Sequence, residues 1–358
     1  MTLSDRKQQI EIAGRAIGNG HPPYVIAEMS GNHNGDIDRA LSLIDMAADH
    51  GADALKLQTY TADTITINHD GPGFTVQGGL WDGRTLYDLY QEAHTPWDWH
   101  AALFARGRER GVTVFSSPFD ETAVDFLETL DCPAYKIASF EAMDLPLIRK
   151  AAATGKPLIV STGMVTPDEI DELMAMLSDI GADQVALLHC VSAYPAPIEA
   201  SNIRSIPELA ARYDAVIGLS DHTPGTSVAV AAVALGAAVI EKHVCLARAD
   251  GGVDSAFSLE PSELGALVTD CRNAWAALGE AHIGKQSAAE PSIVFRRSLY
   301  AVADILAGAK LTKENVRSIR PGHGLAPKHL DTVLGRRAAR DIPRGTPISW
   351  DLVSGPRD

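Results

Sequence analysis

Two histidines close two short apolar runs, Val216-Ile-Gly-Leu-Ser-Asp-His222 and Ala238-Val-Ile-Glu-Lys-His243. Each run has the continuous apolar character of a strand buried on both faces, and each stops abruptly in polar, metal-capable side chains. Residues 226–235 between them are rich in Ala and Val and predict a helix. A right-handed strand–helix–strand crossover makes the two strands parallel neighbours, so both histidines emerge at the same C-terminal edge. Two imidazoles so placed can share one divalent metal at about 2.0–2.2 Å from each nitrogen. Single histidines are more often structural; the pairing singles these two out. The cation expected is of the Mn2+ type, with Mg2+ or Co2+ as alternatives, and it would polarise a carbonyl or acidify a bound water.

The elements that must position this pair repeat along the chain. Strands are predicted at 24–29, 54–58, 112–117, 134–139, 157–161 and 184–190, before the two that carry the histidines. Helices follow them, among them 167–180, capped by Thr166 with Pro167 in its first turn, and 261–278 at the end. Eight βα units match a closed (β/α)8 barrel, the TIM-barrel architecture. An open doubly wound sheet is the runner-up, but no GxGxxG phosphate loop follows the first strand. The stretch 59–90 is too long for a connector and reads as an irregular binding loop, with Trp81-Asp-Gly-Arg-Thr-Leu-Tyr87 as its most informative part.

Barrels of this kind place their chemistry at the C-terminal ends of the strands. Here those ends supply Glu28, Lys56 with Gln58, Ser116 with Ser117, Lys136 with Ser139, Ser161, Ser192, Ser220 with His222, and His243. A purely structural barrel has no need of charged or hydroxyl groups at all eight ends. Two lysines and several hydroxyls converging on one mouth form a trap for a phosphate or carboxylate. Two mechanisms fit. A Schiff-base aldolase would use Lys56 or Lys136 as nucleophile and needs a lysine of depressed pKa. Beside a bound anion both would instead stay protonated, which favours a metal-assisted condensation, with Glu28 as acid or base.

Composition narrows the classes further. The 358 residues carry 31 Lys and Arg against 46 Asp and Glu, a formal charge of −15, which argues against a nucleic-acid or anionic-membrane partner. Cys132, Cys190, Cys245 and Cys271 form no CxxC pair, as expected of reduced thiols in a cytoplasmic protein. Residues 1–20 read as a polar leader without the apolar core of a secretion signal, and no run is long enough to span a bilayer.

A polar linker at 281–292 separates the barrel, residues 1–280, from a small module at 293–358. Within the module Asp304-Ile305, Gly308, Leu311-Thr312 and Val316 recur 37 positions later as Asp341-Ile342, Gly345, Ile348-Ser349 and Val353, which predicts a pseudo-two-fold, β-rich fold. In both copies the Thr or Ser is placed to cap a short helix. Between the copies, Ile319-Arg-Pro-Gly-His-Gly-Leu325 is an exposed turn with a fixed arginine, Arg320.

Over nearly its whole length the chain resembles the sialic acid synthase family, a barrel followed by an antifreeze-like (SAF) domain. The resemblance is carried by Ile26-Ala-Glu-Met-Ser-Gly-Asn-His-Asn-Gly35, Lys56-Leu-Gln58, Tyr135-Lys-Ile-Ala-Ser139, Ser161-Thr-Gly163, Gly218-Leu-Ser-Asp-His222, Glu241-Lys-His243 and Arg320-Pro-Gly322. Gln58-Thr-Tyr-Thr-Ala-Asp-Thr64, Leu80-Trp-Asp-Gly-Arg-Thr-Leu-Tyr87 and Cys190-Val-Ser-Ala-Tyr-Pro195 are similar to the branch that makes pseudaminic acid. Members with sialic acid as product have Asn where Ser192 stands, and the pseudaminic branch favours Ser.

The resemblance implies a condensation of phosphoenolpyruvate with an open-chain acetamido sugar and water, giving a nine-carbon ulosonic acid and phosphate. By the same resemblance His222 and His243 are metal ligands, and Lys56, Ser117 and Ser139 lie near the phosphoenolpyruvate carboxylate. Lys136, Ser161 and Ser220 contact the phosphate, while Glu28, Gln58, Tyr194 and Asp254 face the sugar or the reacting centre. It further implies a domain-swapped homodimer in which Arg320 reaches the partner's sugar, rather than ice binding. The rival classes are a sister synthase, forming N-acetylneuraminate or legionaminate, and a non-catalytic carbohydrate-binding protein. The latter has no use for the full lysine–hydroxyl–histidine set.

Overall fold

The structure is a computed structural model and describes residues 9–355. Residues 1–8, the start of the expected polar leader, lie outside it. The chain divides into two compact units, Met1–Gly279 and Glu280–Asp358.

The first unit opens with a departure from expectation. The rest of the presumed leader is an antiparallel hairpin, β1 (Gln9–Ile12) and β2 (Arg15–Gly18). Its turn is Ala13-Gly14, both at positive φ, a conformation natural to glycine. Ile10, Ile12 and Ile17 are buried in the barrel's core cluster. Arg15 pairs with Asp53, just before a barrel strand, and the Glu11 amide donates to Gln184 Oε1 at 3.1 Å, just before another. The hairpin therefore closes the N-terminal end of the barrel. Its alternating isoleucines are the strand signal that the polar residues between them obscure.

Eight parallel strands follow and close on themselves: β3 (Tyr24–Glu28), β4 (Ala54–Thr59), β5 (Thr113–Pro118), β6 (Tyr135–Ile137), β7 (Leu158–Ser161), β8 (Val185–Cys190), β9 (Val216–Asp221) and β10 (Val239–His243), with β10 beside β3. The eight-unit barrel reading is borne out. The strands are buried on both faces, as a parallel barrel covered by helices requires. The helix at Pro167–Asp179 has the expected Thr166 cap, in a capping box with Glu169, and Pro261–Leu278 has the expected bounds. The insertion after β4 is less irregular than expected. It holds short helices at Ala62–Ile65 and Leu86–Ala93 and a bridge between Thr75 and Thr85.

Register explains why the polar residues gather. Side chains alternate along a strand, so residues two apart share a face. Moving two positions toward the N-terminus from Glu28, Lys56, Ser117, Ser161, Ser220 and Glu241 gives Ile26, Ala54, Phe115, Ile159, Gly218 and Val239. The lumen is thus apolar or small below and polar at its C-terminal level. Gly218 has a packing reason, since a Cβ there would come within 2.5 Å of the Val239 carbonyl oxygen and 2.6 Å of Leu188 Cδ2.

The second unit begins at the expected polar linker, part of which lies in a 3-10 helix, Ser287–Phe295. Beyond it β11 (Ser298–Ala301) pairs with β12 (Val316–Ile319) in antiparallel fashion. The 37-residue repeat is a real pseudo-two-fold. Ile305 and Ile342 exchange backbone hydrogen bonds at 2.9 and 2.8 Å. The Ala307 amide donates to Asp341 Oδ1 and the Arg344 amide to Asp304 Oδ1, each at 2.7 Å. Leu299, Leu311, Val316, Ile348 and Val353 fill the core between the copies. Ser349 opens a 3-10 turn at Trp350–Leu352, whereas Thr312 caps only a turn. Among the described residues no helix is long and apolar enough to cross a membrane.

Candidate active site

The barrel brings together all but two of the residues singled out from the sequence; Ser116, next to the lumen-facing Ser117, points outward and meets Thr59 Oγ1 at 2.6 Å. At the centre lies a buried charge cluster. Lys56 Nζ is 2.9 Å from Glu28 Oε2, 3.5 Å from Glu241 Oε1, and donates to Ser117 Oγ at 3.3 Å. Lys136 Nζ donates to Ser161 Oγ at 2.7 Å and lies 3.9 Å from Glu241 Oε1. Ser220 Oγ donates to the same Glu241 oxygen at 3.2 Å. Glu28 is fully buried and Lys136 only 1% exposed.

Charges so far from water must be balanced or neutralised. Burial pushes the Glu28 carboxyl up to about 7, opposed by Lys56. Burial would also raise Glu241, but Lys136 and Lys56 outweigh it and keep this carboxyl below its ordinary value. Burial works to lower Lys56, yet Glu241 and Glu28 leave it above the usual lysine range. Lys136 has less compensation, and burial lowers it. Two lysines thus face one firmly ionised carboxylate and one poised carboxyl, a balance that favours an incoming anion.

Beside the cluster stand the hydroxyls. Gly163 follows β7, and its amide donates to Ser139 Oγ at 3.3 Å. A Cβ at Gly163 would meet Ser192 Oγ at 2.6 Å and Ser139 Oγ at 3.0 Å. Only glycine lets the three loops carrying Gly163, Ser139 and Ser192 meet so closely.

Toward the mouth, Gln58 Nε2 donates to Glu28 Oε1 at 2.8 Å and to Ser30 Oγ at 3.2 Å, and Ser30 in turn donates to Asp254. The His222 and His243 rings lie 5.4 Å apart, centroid to centroid. His222 Nδ1 faces the Val191 carbonyl at 3.0 Å, which leaves Nε2 for a ligand when the proton sits on Nδ1. His243 Nδ1 is buried with no hydrogen-bond partner, 3.9 Å from Asp254 Oδ2. Burial, then His222, drive His243 well below the ordinary histidine pKa, so it is neutral, as a ligand must be; burial works to lower His222 too, but Cys190 and the Val191 carbonyl leave it above the ordinary value. Among the described residues no three or more His, Cys, Asp or Glu side chains are grouped to hold a metal. A cation held by these two histidines alone would take its other ligands from water or substrate oxygens.

An aromatic wall borders the histidines. The Tyr194 ring is 4.5 Å from that of His222, 5.5 Å from Phe257 and 5.6 Å from Trp81. Trp81, from the long insertion, donates its indole N–H to the Val253 carbonyl at 2.8 Å. The expected binding loop thus packs onto the site.

The NeuB family model matches residues 43–283, and the SAF domain model residues 296–354. The chain belongs to the NeuB family. It is 44% identical over 322 residues to the pseudaminic acid synthase of Campylobacter jejuni, spanning 90% of this chain and 94% of that one. With the pseudaminic acid synthase of Helicobacter pylori it shares 41% over 333 residues, 93% of this chain and 98% of that one. Its structure superposes with a TM-score of 0.72 on the N-acetylneuraminic acid synthetase of Leptospira borgpetersenii solved with citrate, at 31% identity, covering 80% of this chain and 95% of the other.

One expected residue, Arg320, is in the second unit, where it is exposed in the turn after β12. Sequence reasoning gave no role to Glu241, Ser30 and Phe257. The signal for Glu241 was available, since it stands two residues before His243 on one strand and so shares its face. Ser30 and Phe257 lie in loops whose paths no periodicity reports.

Proposed function

We propose that the chain is a pseudaminic acid synthase, condensing phosphoenolpyruvate with 2,4-diacetamido-2,4,6-trideoxy-β-L-altropyranose and water to give pseudaminic acid and phosphate. The observation that carries this reading is the combination of the Lys56–Lys136 anion trap and the histidine pair in one barrel mouth. The identities of 41–44% to named pseudaminic acid synthases, against 31% to the N-acetylneuraminic acid synthetase, favour this sugar over its sister sugars.

In this reading Lys56, with Ser117 and Ser139, holds the phosphoenolpyruvate carboxylate. Lys136, with Ser161 and Ser220, holds the phosphate, and Ser192 borders it across Gly163. Gln58, Tyr194 and Asp254 orient the sugar so that its aldehyde carbon meets the enol carbon. Glu28, buried and poised near neutrality, moves a proton at the reacting centre. His222 and His243 would hold a divalent ion, Mn2+ in the first instance, which when bound supplies Lewis-acid polarisation of the aldehyde. Water adds at the former enol C2, and the C2–O bond to phosphate breaks.

The working unit proposed is a homodimer in which each SAF domain serves the partner's barrel. Phe140, Met143 and Met164, in loops that follow β6 and β7, are exposed, and so are Phe295 and Leu306 in the second unit. Apolar groups left in water on both units support an interface. Phosphoenolpyruvate is a cytoplasmic metabolite, which places the reaction there.

The test is a panel of acetamido sugars, each supplied with phosphoenolpyruvate and Mn2+, with products read by mass spectrometry. The altro-configured 2,4-diacetamido sugar should have the highest kcat/KM. Preference for N-acetylmannosamine or the legionaminate precursor would assign the chain to a sister synthase. A second measurement addresses Lys136, whose lowered pKa is what a Schiff base requires. A bound phosphate restores the ammonium form, so borohydride added during turnover should leave the protein mass unchanged. A reduced pyruvyl or sugar adduct on Lys136 or Lys56 would overturn the condensation.

A further inference from the structure

We propose that the buried ion pair between Lys242 and Asp221, on the outer face of the barrel wall, fixes the separation of His222 and His243 and so sets the affinity of the two-histidine metal site. This rests on the reading of that site given above. Lys242 stands between Glu241 and His243 on β10, so its side chain points away from the lumen that those two face. Asp221 stands between Ser220 and His222 in the same way. Register pairs Lys242 directly with Asp221, and this is the last rung of the β9–β10 ladder. The histidines are each one residue further on, where no ladder hydrogen bond holds them together.

What holds them is on the other face. Lys242 Nζ lies 2.8 Å from Asp221 Oδ2 and donates to the Thr223 carbonyl at 2.5 Å. Asp221 Oδ1 accepts from the Thr223 amide at 2.9 Å and from its hydroxyl at 2.8 Å. One ammonium from the strand of His243 therefore grips the residues on both sides of His222. The side chains of Lys242 and Asp221 are each 1% exposed.

Stability alone does not account for such a pair. Moving two charges out of water costs several kcal/mol per ion, and a well-packed apolar pair often does as well or better. Direction is what an ion pair provides and a methyl contact does not. Here it is aimed across the two strands whose next residues must converge on one cation. Groups that orient metal ligands in this way typically change affinity 10–100-fold when removed.

The experiment titrates the folded full-length protein with Mn2+ alone and reads the free ion by electron paramagnetic resonance, with no turnover involved. Wild type should bind one Mn2+ per chain, and Asp221→Asn and Lys242→Met should bind it about 10–100-fold more weakly. Leu173→Ala, buried in the helix Pro167–Asp179 away from the pair, should lower the melting temperature and leave the affinity unchanged. If Lys242→Met does not fold, the isosteric Asp221→Asn decides. Wild-type affinity in the folded pair variants would overturn the inference while leaving the histidine site standing. Equal weakening in Leu173→Ala would assign the effect to general destabilisation and overturn it too. A wild type that binds no Mn2+ would overturn the histidine site and the inference together.

Discussion

The His222→Ala enzyme is expected to turn over at least about 10^3-fold more slowly than wild type at saturating substrates. Polarisation of a carbonyl by a bound cation is worth several kcal/mol in the transition state, and each 1.36 kcal/mol is about tenfold in rate. With only two histidines to hold the ion, loss of one removes half of the protein's ligands. Removal of metal by a chelator should have the same effect on wild type, reversed by Mn2+. Phosphate release from phosphoenolpyruvate in the presence of the acetamido sugar is the assay. Full activity in metal-free enzyme would exclude a role for the histidine pair in holding a catalytic ion.

The second large effect is a gain. Arg320→Ala is expected to be inactive, because a guanidinium in the Pro/Gly turn after β12 is the group proposed to complete a partner's sugar site. Mixed with inactive His222→Ala chains under conditions that exchange subunits, it should recover activity. A mixed dimer contains one barrel with intact histidines that faces an intact arginine. Random assortment makes half of the dimers mixed, so recovery should approach about one quarter of the wild-type rate per chain. Mixed dimers that form and stay inactive would show that each SAF domain serves its own barrel or none.

Much of this architecture was legible in the chain because parallel strands buried on both faces announce themselves as apolar runs. The polar residues that end those runs then mark the active mouth. His222, His243, Lys56 and Lys136 were found in this way, and the 37-residue repeat revealed the pseudo-two-fold of the second unit. The rest was hidden for physical reasons. The N-terminal hairpin alternates isoleucine with charged and polar residues, which makes its average composition look like a solvated tail. Glu241 stands no deeper in its strand than Lys56 does in its own, but its role as partner to two lysines appears only when three strands are brought together. Ser30 and Asp254 are more than two hundred residues apart in sequence and meet only through the loops that fold over the mouth.

The hairpin beneath the barrel also bears on timing. With one end of the lumen sealed by Ile10, Ile12 and Ile17, traffic has a single doorway. The anion trap lies at the back, behind the histidines and the aromatic wall. In the proposed reaction phosphoenolpyruvate is then expected to bind before the sugar, and phosphate to leave after the nine-carbon acid, as in a blind alley.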